Sequence, residues 1–261
     1  MVLIPGGTFL MGSDAGYPAD REGPVREARV DPFYLDPHAV SNARFAAFAK
    51  ATGYQTDAER YGWSFVFQAF LRPEVVRAAA AVSAAPWWVR VDGASWRSPE
   101  GPGSSVAARQ NHPVVHVSWA DANAYCEWAG RRLATEVEWE RAARGGLDQK
   151  TYPWGDELTP RGRHRCNIWQ GRFPDLNTGE DGFLGTAPVS AFGPNAYGLY
   201  NMSGNVWEWC ADPFSDGSRV IRGGSYLCHA SYCHRYRVAA RTGNTPDSST
   251  GHMGFRCARD A

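Results

Sequence analysis

The sequence predicts a single compact α+β domain, residues 1–261, with little regular secondary structure and a loop-rich core pinned by aromatic side chains. Three observations carry this expectation. Twenty-eight glycines and 17 prolines are spread along the chain and break regular elements wherever they fall. Eleven tryptophans are many for 261 residues and supply the packing that long helices and strands do not. Two segments carry a paired helix-start signal, and much of the remainder reads as short apolar runs between turns. No shift in composition marks a linker.

Taken in order, Leu3–Gly12 reads as two strands around the turn at Pro5-Gly6, and Ala28–Leu35 as one further strand. Ser41 or Asn42 caps a helix that carries Phe45, Phe48 and Ala49 on one face, and Gly53 closes it. The alanine-rich run 72–83 predicts a short helix after Pro73. Residues 92–112 are polar and turn-rich, and read as a surface loop. Ser118 with Asp121 resembles a capping box; Ala122, Tyr125, Cys126 and Ala129 then share a face, which puts Cys126 on the buried stripe. Thr135 with Glu138 opens another helix, stopped by Gly145-Gly146. From Asn167 onward periodicity fades into Asn/Asp/Gly-rich turns at 167–171, 177–183 and 201–209.

Composition removes several function classes. Lysine plus arginine equals aspartate plus glutamate at 27 each, so no electrostatic case exists for nucleic acid or an anionic membrane. No apolar run has the length to span a bilayer. The N-terminus lacks a basic n-region and is broken by Pro5, so the cytoplasm is the expected compartment. There is no phosphate loop, dinucleotide fingerprint, Gly-x-Ser-x-Gly elbow or His-Glu-x-x-His helix. His112 and His116, set around Pro113 and Val114-Val115, read as structural. Six cysteines are too sparse for a disulfide scaffold in a chain this long.

What remains is the stretch Cys228-His229-Ala230-Ser231-Tyr232-Cys233, set among Arg222, His229, His234, Arg235 and Arg237. Cationic neighbours favour the thiolate, the form that attacks and binds metal. Two thiolates underfill a structural zinc site. Spacing alone leaves Cu(I), a redox disulfide and two plain buried thiols open. Because successive strand residues face opposite ways, a five-residue offset converges only through a bend between the two cysteines. Separately, Asn167, Asp181, Asn201 and Glu208 offer hard oxygen donors suited to calcium, or serve turn geometry alone.

Wider motifs carry a resemblance. Gly223 to Arg237, Ala239-Ala240-Arg241, Asn244-Thr245-Pro246-Asp247-Ser248-Ser249 and Gly254-Phe255-Arg256-Cys257 are similar to the formylglycine-generating enzymes, the sulfatase-modifying factor family, in a bacterial form. So are Arg132 to Glu140, Asn167 to Gly171 and Gly204 to Trp209, and the likeness runs from Ile4 to Cys257. It implies a fold distantly similar to the C-type lectins. It also implies an oxidase that uses O2 and an external reductant to convert the cysteine of Cys-x-Pro-x-Arg, in an unfolded sulfatase polypeptide, to Cα-formylglycine. In that family two cysteines, matched here by Cys228 and Cys233, hold Cu(I). The substrate thiolate joins them, a hydrogen leaves the substrate Cβ, and the thioaldehyde hydrolyses.

By the same likeness Ser225, Trp207 and Tyr232 are pocket residues. Asn167, Ile168, Asp181 and Phe183 match one calcium site, and Asn201, Gly204, Val206 and Glu208 match a second. Cys126 and Cys257 match a structural disulfide. A second disulfide of secreted members falls at about Ala143 and Val238, where both cysteines are gone together; Cys166 and Cys210 depart from the family pattern and are expected as free thiols, with a bridge between them as the alternative. The chain is expected to act as a monomer. Two alternatives share the scaffold: a non-catalytic C-type-lectin-like binding module, and an iron-dependent sulfoxide synthase. The second needs a helical domain for which 261 residues leave no room.

Overall fold

The computed structural model describes every residue except 79, 80, 84 and 216, and the side chain of Ala81. Local capping chemistry decides where its helices begin and end. Helix α1 (Asn42–Thr52) starts after Ser41, whose Oγ accepts the Arg44 N–H, and stops at Gly53, held at φ 68°. Ser41 is therefore the cap and Asn42 the first helical residue. Helix α2 (Asp57–Tyr61) follows a capping box between Thr56 and Glu59. Helix α3 (Pro73–Ala78) is shorter than the alanine-rich run suggested. Ala81–Val82 instead pairs with the strand Ala85–Asp92, cross-strand packing overriding helix propensity, and residues 79 and 80 lie outside the described set. Helices α4 (Trp119–Trp128) and α5 (Glu136–Arg144) carry both predicted capping boxes.

Two four-stranded sheets frame the domain. The first runs Val2–Ile4, Phe33–Leu35, Cys257–Asp260 and Arg132–Leu133, all antiparallel. The second runs Arg241–Asn244, Arg219–Arg222, Trp207–Pro213 and Met253–Gly254, the last pair parallel. The single strand expected over Ala28–Leu35 is two. Arg26–Val30 pairs with Gly7–Met11, whereas Phe33–Leu35 belongs to the first sheet. Pro32, which has no N–H for a ladder, makes the break. Opposite it a Cβ on Gly6 would meet the Pro32 ring at 2.8 Å, so both chains turn together where the packing is closest.

The late chain is more regular than its composition suggested. Trp207–Pro213 is a seven-residue strand, and Trp207 to Cys210 are all buried, so no two-residue alternation shows in the sequence. The 92–112 loop is likewise anchored: Trp96 is 1% exposed and meets Phe45 edge-on at 5.2 Å. His112 and His116 share no strand, and His116 sits at φ 59° in a turn.

The main core joins α1, α4 and the two sheets through Phe45, Phe48, Tyr125, Trp209 and Phe255. Aromatic pairs of this kind add roughly 0.5–1.5 kcal/mol each beyond their buried area. A second cluster packs α5 on the first sheet and includes both Ala143 and Val238. Cys126 reaches Cys257 as the resemblance implied, but as two free thiols 3.4 Å apart, the Cys126 thiol donating to the Cys257 sulfur, rather than as a disulfide. Cys166 and Cys210 are buried free thiols in separate clusters.

Candidate active site

The strand Arg219–Arg222 delivers the chain into two left-handed glycines, Gly223 at φ 91° and Gly224 at φ 71°. A Cβ on Gly224 would lie 3.0 Å from the Tyr236 backbone, so only glycine allows this approach. The turn carries Ser225 to Cys228 inward. The expected bend follows: the His229 carbonyl accepts the N–H groups of Tyr232 (3.0 Å) and Cys233 (2.7 Å). It brings the sulfurs of Cys228 and Cys233 to 3.0 Å, with the residues 2% and 7% exposed. A disulfide spans about 2.05 Å, so these are two thiols in hydrogen-bond contact.

The pair is electrostatically divided. Burial pushes the Cys228 thiol well up, and its donation to Cys233 raises it further. Cys233 is lowered to about 7, first by that bond from Cys228 and then, against the opposing effect of burial, by Arg235. The Arg235 guanidinium lies 3.9 Å from the Cys233 sulfur, and the Ser225 N–H reaches the Cys228 sulfur at 3.4 Å. Cys233 is therefore the first of the two to give up its proton, with Cys228 set to donate to it.

Of the five cationic residues flanking the cysteines, Arg235 alone touches a sulfur among the described contacts. Arg222 is bound by Glu136 and Glu140, and Arg237 by Glu22 in a fork of two 2.7 Å bonds. His229 bonds Ser231, and His234 meets Tyr152. Arg235 is itself held by Asp20 at 2.5 and 3.1 Å and lies 4.3 Å over the Tyr17 ring. Residues 13–25 thus strap the cysteine loop, a feature missed from sequence. Its signal was present as two charged doublets of equal spacing, Asp20-x-Glu22 and Arg235-x-Arg237.

The sulfurs open into a cleft of about 360 Å³. Ser225 and Trp207 are buried in its lining, and Tyr232, 43% exposed, stands at the mouth. The Tyr232 ring stacks on Phe173 at 4.4 Å and meets Trp87 edge-on at 4.7 Å. The three predicted pocket residues and the two cysteines therefore line one cleft. Asn244, Ser248, Thr250 and His252 supply the polar side of the wall.

The donor sets fit the implied metals unequally. Two convergent sulfurs are soft ligands suited to Cu(I). In the first calcium set, Asn167 Oδ1 is buried without a partner. Beside it, Asp181 takes the N–H groups of Ile168 (3.0 Å) and Phe183 (2.9 Å), and the Gln170 amide donates to both Asp181 and the Ile168 carbonyl. Oxygens held together by donors in this way, one of them left bare, suit a hard cation. In the second set Asn201 Oδ1 is also bare, but the Glu208 carboxylate is taken by Arg256 at 2.7 and 2.7 Å and by Trp139 at 2.8 Å. Glu208 cannot lend that carboxylate without leaving a buried guanidinium unpaired. Among the described residues, no three His, Cys, Asp or Glu side chains gather as a metal cluster.

A loop-rich α+β domain thus sets two cysteine sulfurs 3.0 Å apart at the floor of an aromatic-walled cleft. The family model described as a sulfatase-modifying factor enzyme 1-like domain matches residues 1–261, and the chain belongs to that family. It is 64% identical over 282 residues to the formylglycine-generating enzyme of Thermomonospora curvata, covering 100% of this chain and 93% of that protein. It is also 52% identical over 267 residues to the inactive C-alpha-formylglycine-generating enzyme 2 of Mus musculus, covering 100% and 86%. Among solved structures, PvdO from Pseudomonas aeruginosa shares the fold at TM-score 0.68 and 24% identity, over 99% of this chain and 93% of that one. No helix among the described residues is long and apolar enough to cross a membrane.

Proposed function

We propose that the chain is a copper-dependent formylglycine-generating oxidase acting on the cysteine of Cys-x-Pro-x-Arg in unfolded sulfatase polypeptides. The observation that carries this reading is the paired sulfurs of Cys228 and Cys233, 3.0 Å apart and opening on a cleft. A pure binding module has no use for a divided, charge-tuned dithiol. Bound by these two sulfurs, Cu(I) supplies the one-electron chemistry with O2 that C–H cleavage needs.

The chain's own residues prepare that chemistry. The bond from Cys228 and, after it, Arg235 fixed by Asp20 favour the Cys233 thiolate, and the Ser225 N–H orients the Cys228 sulfur. Tyr232, Phe173 and Trp87 form an apolar wall for a peptide presented at the mouth. Buried Trp207 helps to exclude bulk water from the floor. The balance explains the need for a reductant: one peptidyl thiol, O2, two electrons and two protons give one aldehyde, one hydrogen sulfide and one water. The first calcium set, at Asn167, Ile168, Asp181 and Phe183, ties the 167–183 loop together. In this reading the enzyme works as a monomer in the reducing cytoplasm, in keeping with six free thiols.

Mass spectrometry of a Cys-x-Pro-x-Arg peptide incubated with protein, O2 and a reductant, with and without Cu(I), tests it. Aldehyde that needs copper and is lost in Cys228→Ala and Cys233→Ala is expected. Full turnover by either alanine variant would sink the copper assignment. An inert peptide with copper present would favour the binding module.

A further inference from the structure

The oxidase reading asks for two electrons from a reductant in solution at every turnover, delivered to sulfurs that are both buried. A peptide that presents its cysteine to Cys228 and Cys233 covers the cleft mouth. Tyr232, with Phe173 and Trp87 packed on its ring, stands at that mouth and is covered too. Electrons that arrive during turnover need another way in.

A line of oxidisable rings leads from the sulfurs to the surface outside the cleft. Tyr236 follows Cys233 by three residues, and its backbone packs against Gly224, next to Ser225 of the cleft floor. Burial pushes the Tyr236 phenol up, and Tyr152, Cys166, Cys228 and Cys233 add to the rise, which sets the ring among all four. The rings of Tyr236 and Tyr152 are parallel, with centroids 6.0 Å apart and planes 7° apart. Tyr152 in turn stacks on Trp154 at 5.4 Å and 14°. Tyr236 and Tyr152 are buried, whereas Trp154 is half-buried and donates its indole N–H to the Glu157 carbonyl at 2.8 Å. The Arg165 guanidinium lies 5.7 Å from the Trp154 ring. Among the described residues, those that line the cleft include none of the three.

Packing asks only for apolar surface, and edge-on pairs supply that as well as stacked ones do. It does not ask for three successive rings that each carry a phenol or an indole. Those rings give up an electron far more readily than a benzene ring, and short gaps between parallel faces let charge step from one to the next.

We propose that Trp154, Tyr152 and Tyr236 form a relay that carries single electrons from a reductant at the surface to the Cys228–Cys233 sulfur pair. The inference rests on the oxidase reading. Each ring gives one electron inwards and is refilled from the next ring out. The donor is a small dithiol, for which the Arg165 cation at the entrance favours the thiolate form. Its two sulfurs join as a disulfide, and the two electrons and two protons released are those that the turnover consumes.

The first test needs neither copper nor peptide. Metal-free, fully reduced protein is flashed with a tris(bipyridine)ruthenium complex and a cobalt(III) ammine quencher, which leaves a one-electron oxidant at the surface. Run this way, the relay carries electrons outwards. Two ruthenium(III) ions take one electron each, two protons leave, and one S–S bond joins Cys228 to Cys233, read by peptide mass spectrometry. Tyr152→Phe keeps the ring but removes the phenol, and should lower the disulfide yield per flash roughly tenfold, about 1.4 kcal/mol on the transfer barrier. Trp154→Phe should do the same, and Trp154→Tyr, which restores an oxidisable ring, should recover the yield. Tyr200→Phe, against His38, should change nothing. With copper and peptide present, Tyr152→Phe should need roughly tenfold more reductant for half-maximal aldehyde formation, at an unchanged peptide KM.

Disulfide yields that stay level in Tyr152→Phe and Trp154→Phe overturn the inference, as does an equal fall in Tyr200→Phe. A Trp154→Tyr yield as low as that of Trp154→Phe points to a structural role and overturns it too. So does oxidation that collects on Cys166, buried in the same cluster, and leaves the pair reduced. Reductant demand that stays at the wild-type level has the same force. Wild-type protein that makes no aldehyde overturns the oxidase reading and the role given to the relay, and the copper-free arm tells that failure apart.

Discussion

Replacing Arg235 with glutamine isolates the guanidinium's share of the Cys233 acidity. The thiol is lowered from 9.0 to about 7, a difference of roughly 2.7 kcal/mol at about 1.36 kcal/mol per unit. The bond from Cys228 is the largest contribution and burial opposes it, so Arg235 supplies only part of the fall. A unit charge 3.9 Å from the sulfur is worth about 4 kcal/mol at an effective dielectric of ~20 and about 1 kcal/mol in bulk water. Asp20, bonded to the same guanidinium at 2.5 Å, cancels much of that field, so the lower end applies. Arg235→Gln should therefore raise the Cys233 midpoint by about one unit, from about 7 to about 8.

The assay is iodoacetamide labelling of metal-free protein across pH 5 to 10, read at Cys233 by peptide mapping. Burial pushes Cys166, Cys210 and Cys228 up, so Cys233 labels first. At pH 7 the wild-type sulfur is about half thiolate, and the variant should be about one-tenth. Cys228→Ala should move the midpoint further than Arg235→Gln, because it removes the larger contribution. A midpoint that stays at about 7 in the arginine variant, or that moves less in Cys228→Ala, refutes the division of labour argued above.

Three other outcomes follow from the same geometry. Glu208→Ala strands the buried Arg256 charge and the Trp139 N–H, and urea unfolding should register a loss of about 3–5 kcal/mol. Calcium should raise the melting temperature of wild-type protein reversibly on chelation, and Asn167→Ala, which removes the bare Oδ1, should abolish that rise. His116 is held at about 4, below the ordinary 6.5, so the unfolded chain takes up its proton first. Its contribution is full above pH 6.5 and shrinks by about 1.4 kcal/mol per unit as pH falls towards 4. Asparagine tolerates the left-handed backbone there. Urea midpoints of His116→Asn and wild type should thus converge between pH 7 and 4.5, and parallel curves would contradict this.

Much of the helical framework was legible because its signals are local: Ser118 with Asp121, Thr135 with Glu138, and the left-handed glycines at 53 and 145 each act within one turn. Helix α2 bears the same Thr56–Glu59 signal, but it is only five residues long and gives no periodicity to confirm it. Trp207–Pro213 escaped notice for a different reason. Strands show themselves through alternation, and a strand whose first four residues are all buried has none. The cysteine pair and its bend could be read from spacing, since two residues five apart must turn to meet. Which cation serves the sulfur could not, because that depends on partners far along the chain.

The strap shows how that choice is made. Asp20 and Glu22 meet Arg235 and Arg237 in register, each pair 215 residues apart in sequence. The inner pair, Glu22 with Arg237, has side chains 1% and 10% exposed and is committed to holding the loop. The outer pair leaves Arg235 23% exposed and 3.9 Å from Cys233. A two-residue slip of the strap that set Glu22 against Arg235 would strand the buried Arg237 charge, a loss on the order of 3–5 kcal/mol. The deeper ion pair therefore fixes the register, and the register selects which arginine polarises the thiolate. Residues 20 and 22 thus place the arginine that adds to a fall begun by Cys228, and no local pattern around the cysteines could reveal that placement.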